Sequence, residues 1–193
     1  MIGREYAVLA GMVLYAAVVL LRRSTGRKTE NPVLFMILFL YFTALVTITF
    51  FPLVYSRTGA PAYGYTSSLQ LTPFKTISGM LRYLSNQSLV LQVVGNILLT
   101  IPYGILLPVM IKRKSPVIII PLLLALPVVI ETMQWVIGAL LGTLYRTTDI
   151  DDVILNFAGG LIGYGIYLLT SLIWQSLSRR KNKISAKRSY GEK

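Results

Sequence analysis

The sequence contains neither cysteine nor histidine among its 193 residues. Without cysteine it can form no disulfide bond and no thiolate metal site. Without histidine it lacks the commonest general base and metal ligand at neutral pH, which excludes HExxH zinc sites, Ser-His-Asp triads and Cys-His pairs. The nucleotide-binding patterns GxxxxGKS/T and GxGxxG and the hydrolase pattern GxSxG are also missing. Nucleotide-dependent and common hydrolase chemistry therefore have no support, and no cofactor is predicted.

Acidic residues are scarce, with seven Asp and Glu against 19 Lys and Arg, and the net charge is +12. The remaining composition is apolar: 54% of the residues are hydrophobic, and the mean hydropathy is +0.65. Apolar runs close to the length that crosses a bilayer, about 20 residues, predict an all-α, polytopic helical bundle. A soluble chain this small could not bury so many apolar helices on all sides. We place five spans in one transmembrane domain over residues 1–176, at about 5–21, 32–55, 89–111, 117–141 and 152–174.

The basic residues are distributed unevenly over this topology. Because there are five spans, the first loop, the third loop and the tail at residues 177–193 fall on one side, which carries 14 of the 19 basic residues. Positive loops mark the cytoplasmic side, so we predict an outer N-terminus and a cytoplasmic tail. The tail is expected to be disordered or to lie on anionic lipid head groups. This placement explains the charge without nucleic acid, which is not expected as a partner.

The long outer loop, residues 56–88, contains the signal for a short helix. Thr72-Pro73 combines an N-cap residue with a proline suited to the first helical position. Apolar residues then recur at helical spacing from Phe74, with Lys75 on another face. We therefore predict an amphipathic helix, beginning around Pro73, that lies in the outer membrane interface. The alternative is a surface helix that covers the bundle.

Small residues in the last two spans favour close helix packing. Gly138 and Gly142 form one GxxxG pattern, and Gly159 and Gly163 form another. Such pairs most often indicate contact between helices rather than contact with a ligand.

Polar residues inside the spans cluster in their outer halves. Glu131 and Gln134 share one helical face, and Asp152 and Asn156 share another. Polar side chains within spans usually face a bundle interior or a cavity. We therefore predict an outward-open polar pocket, with Glu131 and Asp152 as candidate catalytic carboxylates. Its predicted lining residues are Asn96, Glu131, Gln134, Arg146, Asp149, Asp152 and Asn156.

Three aspartates, Asp149, Asp151 and Asp152, fall within four positions at the start of the last span. Helix capping explains one or two of them, Asp149 above all, but like charges this close repel one another. An EF-hand is excluded by the spacing, so no metal site is predicted, although a looser divalent-cation site formed by the three remains open. For Glu131 the structural alternatives are an ion pair with Arg146 and a hydrogen bond with Gln134.

Four ordered segments resemble the VanZ-like family of small membrane proteins. They are QLTPFKTI (70–77), GNILLTIPYGILLP (95–108), ETMQ (131–134) and RTTDIDDVILNFAGGLIGY (146–164), and the resemblance covers about residues 30–170. It implies a bacterial cell-membrane protein that gives low-level resistance to teicoplanin-type glycopeptides without remodelling their D-Ala-D-Ala target. By position, the functional candidates are the seven pocket residues named above.

Three functions are compatible with these features. The favoured one is a non-enzymatic membrane factor that binds an outer-leaflet lipid, a lipid-linked cell-wall component or the acyl chain of the antibiotic. The second is an intramembrane enzyme acting on an envelope lipid, with a carboxylate as base and Arg146 holding a phosphate. An ion-coupled transporter is the least favoured, because the inner halves of the spans lack polar groups.

Overall fold

The computed structural model describes residues 2–25, 31–53, 69–83, 85–111, 115–141 and 148–191. Within them, five helices are long and apolar enough to cross a membrane. They are α1 (Arg4–Ser24), α2 (Pro32–Phe50), α4 (Gln87–Met110), α5 (Pro116–Leu141) and the segment Ile150–Arg179 of α6 (Ile150–Gly191). A short helix, α3 (Lys75–Arg82), and two strands, β1 (Leu69–Gln70) and β2 (Thr148–Asp149), complete the described elements. The predicted all-α bundle with five spans is confirmed.

The helix ends differ most from the predictions in α2 and α6. Helix α2 ends at Phe50, five residues before the predicted end, and Phe51 is already extended. Pro52 explains this end, because proline has no N–H to donate and disfavours the helical conformation in the preceding residue. Helix α6 continues to Gly191, so the structure describes most of the predicted tail as helical rather than disordered.

Helices α4 and α6 pack with their backbones in direct contact. A Cβ atom on Gly159 would lie 2.1 Å from the carbonyl oxygen of Ile97, and one on Gly163 would lie 2.1 Å from that of Ile101. No side chain fits at these distances, so both positions require glycine for the helices to approach. The Gly159/Gly163 pattern is therefore a helix contact, as predicted. In the other pattern, Gly138 is buried on α5, and Gly142 lies outside the described residues.

A buried apolar cluster joins α4, α5 and α6. Ile119 and Leu123 of α5 are almost fully buried against residues of α4 and α6. Tyr103 also satisfies its hydroxyl, which donates to the carbonyl oxygen of Leu122 at 3.1 Å. A buried phenol needs such a partner in hydrocarbon. These three helices form the core of the bundle.

Helices α1 and α2 form a hairpin beside this core. Helix α1 has no buried residue, and its side chains meet α2 through an aromatic group of Tyr15, Phe35 and Phe39. Helix α2 reaches the core through the hydroxyl of Tyr41, which donates to the carbonyl oxygen of Leu99 at 3.1 Å. The hairpin is thus attached mainly through α2.

Candidate functional site

The loop that carries α3 is tied to the start of α6. Strands β1 and β2 pair in parallel, with Leu69 opposite Thr148 and Gln70 opposite Asp149. We call this end of the bundle the aspartate end, after Asp149, Asp151 and Asp152. The opposite end, where α1 finishes with Arg22 and Arg23, is called the basic end.

Asp149 caps α6 and holds α3. Its Oδ1 accepts a hydrogen bond from the Asp151 backbone N–H at 2.9 Å, the geometry of an N-cap residue. Its Oδ2 accepts a short hydrogen bond of 2.5 Å from the Thr76 hydroxyl. The capping interpretation of Asp149 is therefore confirmed, and its second oxygen links α6 to α3.

Asp151 caps a different helix from the one that contains it. Its side chain is fully buried, and its two oxygens accept backbone N–H bonds from the first turn of α3. Oδ1 accepts from Phe74, and Oδ2 accepts from Thr76 at 2.8 Å and from Ile77 at 3.2 Å. A carboxylate is suited to this place because it compensates several unpaired N–H groups and the positive end of the helix dipole.

The predicted start of α3 was wrong by about two residues. Thr72 and Pro73 lie in a turn, and α3 begins at Lys75 after Phe74, which has a left-handed φ of 65°. The cap comes from Asp151, 77 positions further along than Phe74, so local sequence could not reveal it.

The apolar side chains of Phe74 and Leu81 in and beside α3 are 60% and 63% exposed. An exposed apolar face is what an interfacial helix requires, and the interfacial location stays a prediction.

Asp152 faces α4 rather than α3. Its Oδ1 accepts from the Asn96 side-chain amide at 2.6 Å and from that of Gln92 at 3.2 Å. Asp152 and Asn96 are half-buried, whereas Gln92 is exposed. We call these three residues the amide-carboxylate group. Gln92 was not among the predicted pocket residues, although it lies one helical turn before Asn96 and could have been identified from that spacing.

Glu131 and Gln134 share a face of α5, as predicted, but they contact different elements. Glu131 Oε2 accepts from the Asp149 backbone N–H at 3.2 Å, whereas the Gln134 amide donates to the Thr49 carbonyl oxygen at 3.1 Å. Each is 5% exposed. Together they connect the start of α6 with the end of α2. Thr49 was not among the predicted residues, and its contact with α5 depends on tertiary packing.

Asn156 lies one turn below Asp152 and is 2% exposed. Its backbone carbonyl accepts from the Thr100 hydroxyl at 2.6 Å, which joins α4 and α6 beside the glycine contact. Among the residues that the structure describes, the side-chain Oδ1 of Asn156 and the hydroxyl of Thr49 are buried and have no hydrogen-bond partner. Such groups are costly in a buried environment.

The structure brings six of the seven predicted pocket residues to the same half of the bundle, and Arg146 lies outside the described residues. Glu131 and Asp149 are joined by one hydrogen bond, and Asn96 and Asp152 by another. Gln134 and Asn156 bond instead to Thr49 and Thr100. Each of the three aspartates accepts hydrogen bonds from different donors, which compensate its negative charge. No group of three acidic side chains arranged for a metal ion occurs in the part of the chain that the structure describes.

Comparison with known proteins identifies the family. A sequence model described as VanZ/LLP1 matches residues 37–173, from α2 to the membrane-spanning part of α6. The chain belongs to the VanZ/LLP1 family. It is 32% identical over 137 residues to Protein VanZ of Enterococcus faecium, an alignment that covers 70% of this chain and 73% of that protein. No solved structure matches. The family resemblance is thereby confirmed, and with five apolar helices this VanZ/LLP1 member is a multi-pass membrane protein.

Proposed function

We propose that this protein gives low-level resistance to teicoplanin-type glycopeptides by binding a lipid-linked envelope component or the antibiotic itself at the aspartate end. Membership of the VanZ/LLP1 family supports the resistance. The amide-carboxylate group supports the binding role, because it is the predicted polar site that remains partly exposed. Asp149 and Asp151 instead stabilise α3 and α6.

The chemistry of the amide-carboxylate group suits a ligand with hydroxyl and amide groups. Gln92 is exposed, and its side-chain amide carries both a carbonyl acceptor and N–H donors. Asn96 orients the Asp152 carboxylate, which is a strong acceptor for hydroxyl and N–H groups. Saccharide and peptide portions of envelope polymers and glycopeptides present these groups. An acyl chain attached to such a ligand could enter the adjoining hydrocarbon.

The binding role can be tested in a susceptible bacterial host that expresses either the protein or its variants. Gln92→Ala and Asp152→Asn should remove most of the protection against teicoplanin, while the amount of protein in the membrane stays unchanged. Thr132→Ala is the matched control, because the exposed Thr132 hydroxyl bonds within its own helix, to Val128 at 2.7 Å. Full protection by both site variants would refute the proposed site.

The ligand class can be narrowed by comparing teicoplanin with vancomycin, which has no lipid tail. If the acyl chain contributes to recognition, the protein should protect against teicoplanin much more than against vancomycin. Equal protection would exclude a role for the acyl chain and favour an envelope component as the ligand.

A variant of Glu131 tests whether resistance needs its negative charge or only its hydrogen-bond acceptor. The substitution Glu131→Gln keeps an oxygen that can accept a hydrogen bond from the Asp149 N–H, but it removes the negative charge. We expect this variant to fold and to lose resistance. Retained resistance would mean that Glu131 acts only as a hydrogen-bond acceptor in the scaffold.

An intramembrane enzyme is the second candidate, and the accessible carboxylate of Asp152 is the observation in its favour. Asp149 and Asp151 are unsuited to act as a base, since both are buried and accept several hydrogen bonds. Purified protein mixed with labelled lipid-linked cell-wall precursor distinguishes the candidates. The enzyme releases a modified product that Asp152→Asn does not form, whereas the binding protein returns the precursor unchanged.

The proposal requires the aspartate end to face outward, as the distribution of basic residues predicts. Because the chain has no native cysteine, single cysteine substitutions can report the orientation. A membrane-impermeant thiol reagent should label Ser85→Cys, near the start of α4, in intact cells. It should label Thr25→Cys, at the end of α1, only after the membrane is permeabilised. The reverse pattern would place the polar group in the cytoplasm.

A further inference from the structure

An apolar crevice runs along the α1–α2 hairpin. Its volume is about 600 Å³, within the range of small-molecule binding sites. Small residues such as Ala10 widen it on the α1 side, Phe39 and Phe42 line it on α2, and Met110 of α4 contributes to its wall. Its lining extends from Phe35 on α2 to Phe51, the residue that follows the end of α2, which corresponds to roughly 24 Å at the helical rise. The crevice is therefore long enough to take an extended hydrocarbon chain.

Cations are concentrated where this crevice meets the basic end. The Arg22 guanidinium lies 4.9 Å above the centroid of the Phe35 ring, and Phe35 itself lines the crevice. Arg23 is in the same last turn of α1.

We propose that the crevice is a binding site for an anionic glycerophospholipid. One acyl chain lies along Phe39 and Phe42, and the phosphate is held at Arg22 and Arg23. Guanidinium groups bind phosphate oxygens through charge-assisted hydrogen bonds, and basic sites between membrane helices recognise anionic head groups. The stacking of Arg22 on Phe35 places the cation at the entrance of the apolar crevice.

The other end of the crevice is less suited to an anionic head group. The cation there is Arg4, whose Nε donates to the Phe51 carbonyl oxygen at 3.2 Å. The first turn of α1 contains the anion Glu5 beside Arg4, whereas its last turn contains two cations, Arg22 and Arg23. The charges therefore favour a phospholipid that enters from the basic end. This site lies mainly on the α1–α2 hairpin and at the opposite end of α4 from Gln92 and Asn96, and it does not depend on the proposed resistance function.

The phospholipid site can be tested with purified protein in detergent by native mass spectrometry. The protein is first stripped of lipid and then mixed with equal amounts of phosphatidylglycerol and phosphatidylcholine that carry the same acyl chains. We expect one phosphatidylglycerol to be retained in preference to phosphatidylcholine. A double variant, Arg22→Gln with Arg23→Gln, should weaken that retention by about thirty-fold, the factor expected for two basic residues at a lipid surface.

The acyl-chain part of the site needs its own variant. Ala10→Phe would fill the crevice and should reduce phosphatidylglycerol retention, whereas Val13→Phe is the control because Val13 is 68% exposed and does not line the crevice. Arg179→Gln with Lys181→Gln removes the same charge from α6 and should leave retention unchanged. An unfolding temperature close to that of the wild type confirms that each variant is folded.

Any of three results would overturn the site. The first is equal retention of the two lipids by the wild type, which indicates ordinary annular lipid without head-group recognition. The second is unchanged phosphatidylglycerol retention in the folded Arg22→Gln, Arg23→Gln double variant, which means that these cations do not hold the phosphate. The third is unchanged phosphatidylglycerol retention in folded Ala10→Phe, which places the lipid elsewhere on the protein.

Discussion

The α4–α6 pair, whose helices run parallel, and the antiparallel α1–α2 hairpin are held together differently. Helices α4 and α6 meet backbone to backbone at Gly104, Gly159 and Gly163, and Thr100 joins them by a hydrogen bond. Helices α1 and α2 meet through side chains, mainly aromatic rings. The first arrangement fixes the helices rigidly, whereas the second leaves a crevice that an acyl chain can fill.

The helix pair with the closer packing, α4–α6, is also the pair that carries more of the polar groups. Packing in a membrane gains little from hydrophobic association, so close backbone approach and hydrogen bonds stabilise helix pairs there. The core helices α4 and α6 possess both close backbone approach and hydrogen bonds, and the amide-carboxylate group lies on them. The hairpin has fewer such contacts, and α1 falls outside residues 37–173, which match the family. A rigid core can hold polar side chains in a fixed geometry, while the hairpin supplies additional membrane contact.

The largest expected effect comes from adding a methyl group where the core backbones meet. In Gly104→Ala the new Cβ would lie 2.0 Å from the Gly160 carbonyl oxygen, and neither backbone can move without separating the helices. We expect a loss of about 3 kcal/mol or more in the free energy of unfolding in detergent. Gly95→Ala in the same helix meets nothing within 4 Å and should not destabilise the protein. Equal stability of the two variants would contradict the described helix contact.

The next effect concerns the cap that Asp151 supplies to α3. In Asp151→Asn one acceptor oxygen replaces two, and the negative charge at the helix N-terminus is lost. The local opening free energy should fall by about 2 kcal/mol, the range of hydrogen bonds to charged groups. Hydrogen exchange at the amides of Phe74, Thr76 and Ile77 should accelerate accordingly.

Asp152→Asn is the control for this cap, since Asp152 bonds to α4 and not to α3. Exchange in the first turn of α3 should therefore be unchanged in that variant. If both variants, or neither, accelerate exchange there, Asp151 is not the cap of α3.

A smaller effect is expected at the close contact of the hairpin. A Cβ on Gly11 would lie 2.5 Å from the Thr43 Cγ2 atom, which belongs to a side chain and can rotate away. Gly11→Ala should therefore cost about 1 kcal/mol, the scale of a strained rotamer. The same unfolding measurement as for Gly104→Ala provides the comparison. A cost as large as that of Gly104→Ala would show that the hairpin is as rigid as the core.

The smallest effect is expected from the aromatic group of the hairpin. Tyr15→Leu removes ring contacts with Phe35, at 5.8 Å, and with Phe39, at 5.1 Å, measured between centroids. Leucine and lipid retain most of the apolar contact, so the expected loss is about 0.5 kcal/mol. Tyr6→Leu, on the exposed side of α1, should have no measurable effect on unfolding. A larger loss for Tyr15→Leu would mean that aromatic packing, rather than lipid, holds the hairpin closed.

Most of the architecture could be predicted from the sequence, because a membrane requires spanning helices to be long and apolar. Length and hydropathy identified five spans, and glycine spacing identified the α4–α6 contact at Gly159 and Gly163. Helix ends were less predictable, as α2 shows, because Pro52 acts over one or two residues within a continuous apolar run. The spacing of Asp149 at the start of the last span also identified its cap, since an N-cap bond is local.

Only the tertiary structure separated the roles of the three aspartates. Asp149, Asp151 and Asp152 are neighbours in sequence, yet successive helical positions point about 100° apart and so reach different partners. Asp151 caps α3 across 77 residues of chain, and Asp152 meets two amides of α4. Composition and periodicity determined that this protein spans a membrane with its three aspartates near one end. Which carboxylates stabilise the fold and which one remains accessible depended on long-range hydrogen bonds, because these form only when distant segments pack together.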